Sequence, residues 1–231
     1  MSKVFVVAAH PDDEVLGCGG TLLRHVSKGD KVYVLYVSDG VSGRYKSDSK
    51  DTKAKISREI FKRENMAKKV AKIGKFTIVD FLNLKNLELH TYPHNFLTNI
   101  IFNYFKKYKP DIVYTHYEHD LNVDHYHTFF STFVASRPNS EFQIKKLLSF
   151  EIPSSTDWGI NSNNKIFNPN YFVDISKFSK KKELLLNKYK FEIRKTPHSR
   201  SIPNINALSV VRGGMAGVHK AEAFFVNKII H

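Results

Sequence analysis

Apolar residues run without a break from Val4 to Ala9, as in a strand buried on both faces, and the pattern then changes period. From Glu14 to Lys28 the apolar positions Val15, Leu16, Leu22, Leu23 and Val26 recur at helical spacing, so the chain opens with a βα unit. The alternation continues. Lys31–Val37 predicts a strand, Ala54–Ile73 a long charged amphipathic helix, Phe76–Leu82 a strand, Asn95–Lys109 a helix and Asp111–Thr115 a strand. Val123–Ser136 reads as a helix and Lys146–Ile152 as a strand, followed by a polar loop or excursion from Pro153 to Asn170. Tyr171–Ile175 is a short strand, Lys177–Phe191 a helix and Ala221–Val226 a last strand. Such alternation builds a mostly parallel sheet covered by helices, an α/β architecture. No internal repeat and no linker divides the sequence, so one domain over residues 1–231 is expected.

In an open sheet of this kind, ligands bind where the strands end at their carboxyl side. Three polar segments follow predicted strands: His10 to Asp13, Ser38 to Arg44, and His116 to His125. All three are expected to face one crevice.

Composition changes this picture little. Hydrophobic residues make up 42% and charged residues 25%, and no segment approaches the roughly 20 uninterrupted apolar residues of a membrane span. Met1 leads through Ser2 and Lys3 straight into the first strand, without a signal-peptide cleavage site, and the lone Cys18 forms no intrachain disulfide. A soluble, cytoplasmic protein without stable membrane insertion is the expectation. The net charge of +14 raises the question of nucleic acid. The basic residues, however, fall in scattered helical tracts at Lys68 to Lys75, Lys106 to Lys109 and Lys180 to Lys182, which solvated helix faces explain. No specific nucleic-acid partner is expected, and association between copies stays open.

The chemistry concentrates in two places. His10 closes the first strand, and Pro11 suits the start of a helix, which places Asp12 and Asp13 in the first turn, where free N–H groups favour carboxylates. One Asp suffices as a cap. Neighbours in a helical turn point about 100° apart, so one carboxylate can bind a metal while the other faces a water on it. Spacing alone leaves capping and metal binding both open. The second cluster, THYEHDLNVDHYHTF, holds His116, His119, His125 and His127 beside Glu118, Asp120 and Asp124, with His125 placed to reach His10 and Asp13. Two histidines and a carboxylate leave positions for water and substrate, as in catalytic zinc sites, and the same donors suit non-haem iron.

The stretches AAHPDDEVLGCGGTL, HDLNVDH and GVHKAEAF resemble the PIG-L/LmbE family of zinc-dependent N-acetyl sugar deacetylases. SDGVSGR (Ser38 to Arg44), KREN (Lys62 to Asn65), FEIPSSTDW (Phe150 to Trp158) and TPHSRS (Thr196 to Ser201) extend the similarity along the chain. The resemblance implies a Rossmann-like three-layer fold and one Zn2+ held by His10, Asp13 and His125. Asp12 would then be the general base toward the zinc-bound water. Some members carry a second histidine three residues before the last ligand; here that position is Asn122. An amide can donate to an oxyanion, with His198 and His219 as the alternatives. Asp124 resembles a carboxylate that supports the ligands, and helix-start electrostatics accounts for it equally well.

Arg44, Arg63, Arg137, Arg200 and Trp158 are the substrate-facing candidates, with Arg44 and Arg200 first because they lie in family-like segments and guanidinium groups fork onto phosphate or sugar hydroxyls. The implied reaction removes acetyl from an N-acetylated amino sugar such as N-acetylglucosamine, or from its nucleotide-linked or other phosphate-bearing conjugate. A dinucleotide-binding oxidoreductase is excluded at the glycine turn, where Leu22 stands in place of the third glycine of the fingerprint. A non-haem iron enzyme with the same ligand set and a basic nucleic-acid-binding protein are the competing readings.

Overall fold

The computed structural model describes residues 1–46, 49–159 and 166–230. Strands β1 (Lys3–Ala8), β2 (Lys31–Ser38), β3 (Thr77–Leu84), β4 (Ile112–His116) and β5 (Lys146–Phe150) pair in parallel. Beyond β5 lie β7 (Ala221–Ile229) and β6 (Tyr171–Asp174), with β7 antiparallel to both of its neighbours. The order across the sheet is β3-β2-β1-β4-β5-β7-β6. Around it pack α1 (Asp13–Ser27), α2 (Lys50–Gly74), α3 (His94–Tyr108), α4 (Val123–Ala135), α5 (Ser179–Leu186) and α6 (Ile202–Ala216).

Alternate residues of β1 serve opposite layers. Val4, Val6 and Ala8 pack with side chains of α1, α2 and α5, while Phe5 and Val7 pack with α3 and the end of α4. The N-terminal run therefore has no position left for a polar residue. Each fully buried side chain of this kind contributes about 1.5–3 kcal/mol, and the ring of Phe5 adds an edge-on contact with Phe105 at 5.4 Å. The chain leaves β1 for β2 on one side, while β4 lies on the other. The sheet order thus reverses between β1 and β4, and their carboxyl ends frame the crevice.

Three details differ from the sequence expectation. Helix α1 begins at Asp13, and Asp12 stands before it at φ 138°, ψ −28°, outside helical geometry rather than in the first turn. The helix is also broken at Cys18 (φ −143°, ψ 18°). Its second half is capped from across the sheet: the buried Glu222 carboxylate accepts the Gly20 and Thr21 N–H groups at 2.8 and 2.7 Å and pairs with the buried Lys182 at 2.7 Å. Third, α5 ends at Leu186, and α6 arises where no helix was expected. Apolar residues surround α6 and Gly213 and Gly214 interrupt it, so it lacks an amphipathic stripe. Its ends do carry signals: the Ser201 hydroxyl accepts from the Asn204 N–H, Pro203 sits in the first turn, and Gly217 closes the helix at φ 69°. The loop 153–170 is irregular over its described part, and 160–165 lie outside the described residues. Among the described residues no helix is long and apolar enough to cross a membrane.

Candidate active site

His10 follows β1, Asp13 opens α1, and His125 stands in the first turn of α4. Their nearest ring and carboxylate atoms form an almost equilateral triangle: His10 Nδ1 to Asp13 Oδ2 3.3 Å, His125 Nε2 to Asp13 Oδ2 3.4 Å, and His125 Nε2 to His10 Nδ1 3.3 Å. All three residues are buried. Asp13 Oδ1 has no hydrogen-bond partner among the described residues, an unusual condition for a buried carboxylate oxygen.

Each imidazole turns its other nitrogen to a second carboxylate. His10 Nε2 meets Asp124 Oδ2 at 3.0 Å, and His125 Nδ1 meets Asp120 Oδ1 at 3.0 Å. Asp124 also accepts the Leu87 N–H at 2.8 Å. Asp120 accepts from the Asn122 N–H at 2.9 Å, the Thr156 hydroxyl at 2.6 Å and the Ser155 hydroxyl. Burial alone would lower the pKa of His125, but the carboxylates of Asp120 and Asp13 push it up to about 10. Burial likewise opposes ionisation of Asp13, and the charge of His125, with the hydrogen bonds from His10 and His125, more than offsets it, holding its carboxyl well below the usual range.

His116, at the end of β4, stacks on His125 with ring centres 3.9 Å apart, and its Nε2 accepts the Ala9 N–H at 2.8 Å. An accepting Nε2 requires the neutral ring, and burial, reinforced by His125, lowers the His116 pKa well below its ordinary value. The other two histidines of the cluster lie elsewhere: His119 beside Tyr117 and Glu118, His127 beside His90 and Tyr126.

Asp12 faces a different set of groups. Its Oδ1 accepts from Arg63 Nη2 at 2.9 Å and its Oδ2 from Arg200 Nη1 at 3.1 Å. Burial pushes the Asp12 carboxyl above its ordinary pKa, against the pull of Arg63. Arg63 is itself buried and spans the site, donating to Pro11 O at 3.0 Å and Gly40 O at 2.6 Å. Gly40 is required there: it sits at φ 67°, and a Cβ would lie 2.8 Å from the guanidinium carbon of Arg63. Arg200 also donates through Nε to Pro153 O and Ser154 Oγ, tying the loop after β5 to Asp12. The Asp12 N–H is held at 3.0 Å by Glu14, whose carboxyl burial raises to about 7 and whose other oxygen accepts from Tyr189 at 2.6 Å.

The remaining candidates are scattered. Asn122 caps α4, its side-chain oxygen accepting the Asp124 N–H at 2.9 Å. Arg44 pairs with Glu192 at 3.0 Å, and Glu192 also meets Arg63 at 3.1 Å. Trp158 is 54% exposed with its ring 5.3 Å from that of His198, whose Nδ1 accepts the Arg200 N–H. His219 lies exposed in the turn after α6, near the charge of Asp174 and without contact to the cluster. Sequence reasoning assigned no part to Asp120, Ser155, Thr156 or Glu192. The last had a signal, since it is an isolated acid within the basic tract Lys188 to Lys195.

The family profile described as PIG-L, GlcNAc-PI de-N-acetylase, matches residues 5–136. Among solved structures, the chain is similar to the conserved protein TT1542 from Thermus thermophilus, with 21% identity, a TM-score of 0.74, and 100% of this chain and 97% of that one covered. It is similar to N,N'-diacetylchitobiose deacetylase from Pyrococcus horikoshii, with 19% identity, a TM-score of 0.77, and 97% and 83% covered. It also resembles GalB, the 4-carboxy-2-hydroxymuconate hydratase from Pseudomonas putida KT2440, with 17% identity, a TM-score of 0.76, and 100% and 98% covered. At these identities the similarity establishes the fold. No curated protein sequence matches the chain at a significant level.

Proposed function

The chain belongs to the PIG-L family, and from that premise we propose that it is a metal-dependent N-deacetylase acting on an N-acetylated amino sugar or its conjugate, with one catalytic domain over residues 1–231. The observation that carries the reading is the triangle of His10 Nδ1, Asp13 Oδ2 and His125 Nε2, with each imidazole backed by a carboxylate. In a tetrahedral array with bonds of about 2.0–2.1 Å, neighbouring ligand atoms lie about 3.3–3.4 Å apart. The three edges here are 3.3, 3.4 and 3.3 Å. Two imidazoles and a carboxylate are donors suited to zinc or iron rather than to magnesium, which prefers oxygen ligands.

His10, Asp13 and His125 would hold the ion. When bound, zinc supplies polarisation of the amide carbonyl and a more acidic water. Asp12 lies next to Asp13 in sequence but on the far side of the backbone break, free of the triangle. It takes a proton from the attacking water and returns it to the departing amine, so that amide and water become acetate and amine. Arg63 and Arg200 fix its orientation. Asp124 and Asp120 hold the two imidazoles in the tautomers that face the ion. Asn122 has its side-chain oxygen committed to the helix, which leaves its amide N–H groups for an oxyanion. Arg44 offers an anion contact, and the Trp158–His198 pair offers an aromatic face to a sugar ring, through the carbohydrate C–H groups.

The test is acetate release from free N-acetylglucosamine, its nucleotide-diphosphate form and an inositol-linked form, each with and without chelator, alongside elemental analysis of His10→Ala, Asp13→Ala and His125→Ala. About one zinc per chain, lost in all three variants, and chelator-sensitive acetate release are expected. Full occupancy in the variants would remove these residues from the site. Iron with oxygen consumption, or water addition to an unsaturated acid without acetate release, would replace the deacetylase reading.

A further inference from the structure

We propose that the face built by α2 and the turn after α5 docks on an anionic bilayer surface. Phe61 of α2 and Phe191 beyond α5 are each 63% exposed, and both line one groove of about 640 Å3 with Met66 and Ile73. Soluble chains normally bury rings of this size. The same groove carries the amines of Lys62, Lys69, Lys72, Lys188 and Lys190, and none of the five has an ion-pair partner among the described residues. The carboxylates nearby are committed elsewhere: Glu59 accepts from Tyr45, Glu64 from Lys68 and Asn83, and Glu192 lies among Arg44 and Arg63. Over its whole length α2 has nine basic residues against three acidic ones.

Apolar rings accompanied by unpaired amines match the boundary between headgroups and acyl chains, where the rings leave water and the amines meet lipid phosphate. A single strand of nucleic acid asks instead for a succession of planar stacking faces along its cations, whereas the apolar part of this groove is two rings set beside the aliphatic chains of Met66 and Ile73. Attachment is peripheral, since no helix among the described residues can cross a membrane. Lys62, Met66 and Phe191 also line the adjoining cavity of about 340 Å3 that reaches Arg63 and Glu192. Docking therefore turns that route toward the bilayer. The surface does not depend on the deacetylase reading, and either can fail alone.

Full-length, metal-loaded protein is sedimented with vesicles of phosphatidylcholine and phosphatidylglycerol in equal parts, and with vesicles of phosphatidylcholine alone. Binding to the first and not the second, released by salt, is expected. The triple variant Lys69→Gln, Lys72→Gln, Lys190→Gln should lose partitioning on the order of 100-fold, and Phe61→Ser with Phe191→Ser about tenfold or more. Circular dichroism and metal content should stay unchanged in both. No sedimentation with anionic vesicles at low salt overturns the proposal, as does unchanged binding of either variant. Preferential retention of a single-stranded oligonucleotide, lost in the same variants, assigns the face to nucleic acid and overturns it as well.

Discussion

Replacing Asp120 by asparagine removes one charge and almost no volume, which makes it a sharp probe of how the site holds a cation. Asp120 Oδ1 receives His125 Nδ1, the Asn122 N–H and the Ser155 hydroxyl, while Oδ2 receives the Thr156 hydroxyl. An asparagine that keeps its oxygen toward His125 presents its NH2 to Thr156, and that hydroxyl can accept as well as donate. The geometry is therefore preserved. What changes is the bond to the imidazole, from charge-assisted to neutral, a loss of about 1–1.5 kcal/mol. The carboxylate's push on the ring's basicity goes with it. Changes to groups that orient metal-bound histidines typically weaken metal affinity about 10–100-fold. Zinc competition against a chromophoric chelator should show such a loss in Asp120→Asn, while chemical denaturation of the metal-free protein should show a loss of about 1–1.5 kcal/mol from the weakened bond to His125. Asp124→Asn should behave alike, because Asp124 holds His10 at the same 3.0 Å. Wild-type zinc affinity in both variants would refute the idea that the paired carboxylates serve the metal rather than the packing of the loops.

Three further outcomes are expected. Asp12→Asn should keep the metal yet lose about 100-fold or more in turnover; near wild-type turnover, with Asp13→Asn inactive but metal-loaded, would mean the two carboxylates had exchanged roles. Arg200→Ala should lower kcat by about tenfold as well as raise KM, because Arg200 touches Asp12 as well as facing solvent; a pure KM effect would return Arg200 to the anion-binding role. Glu222→Ala strands the buried Lys182 and uncaps the second half of α1, so chemical denaturation should show a loss of about 3–5 kcal/mol; a loss below about 1 kcal/mol would show that Lys182 finds another partner or reaches water.

The periodic parts of the chain were legible because strand and helix leave their period in the order of residues, and the two segments that carry His10, Asp13 and His125 because a sheet of this order collects its post-strand loops at the β1–β4 crevice. Helix α6 was not, since its apolar residues have no preferred side. Tertiary partners were hidden for another reason. Asp120 meets Ser155 and Lys182 meets Glu222 across long stretches of sequence, and nothing local marks such a meeting, while Glu192, which meets Arg63, stands out only as a lone acid in a basic tract. The tract Lys180 to Lys182 shows the cost of reading charge alone: as a solvated face it is right for Lys180 and Lys181, but Lys182 is buried.

The break before α1 gives two adjacent carboxylates two different tasks. In a regular first turn both would ride the same helix, about 100° apart around its axis. Instead the Asp13 side chain accepts the His10 N–H at 2.8 Å and stays with the histidines, while Asp12, at φ 138°, carries its carboxylate to the arginines. A non-glycine residue in that conformation costs on the order of 1–3 kcal/mol and persists only where its surroundings over-determine it. They do so here from three directions: Glu14 holds the Asp12 N–H, Arg63 holds Pro11 O and one Asp12 oxygen, and Arg200 holds the other. Glu14 is thus part of why the motif runs His-Pro-Asp-Asp-Glu. Its carboxyl reaches back over the break, and Tyr189 from beyond α5 keeps it there.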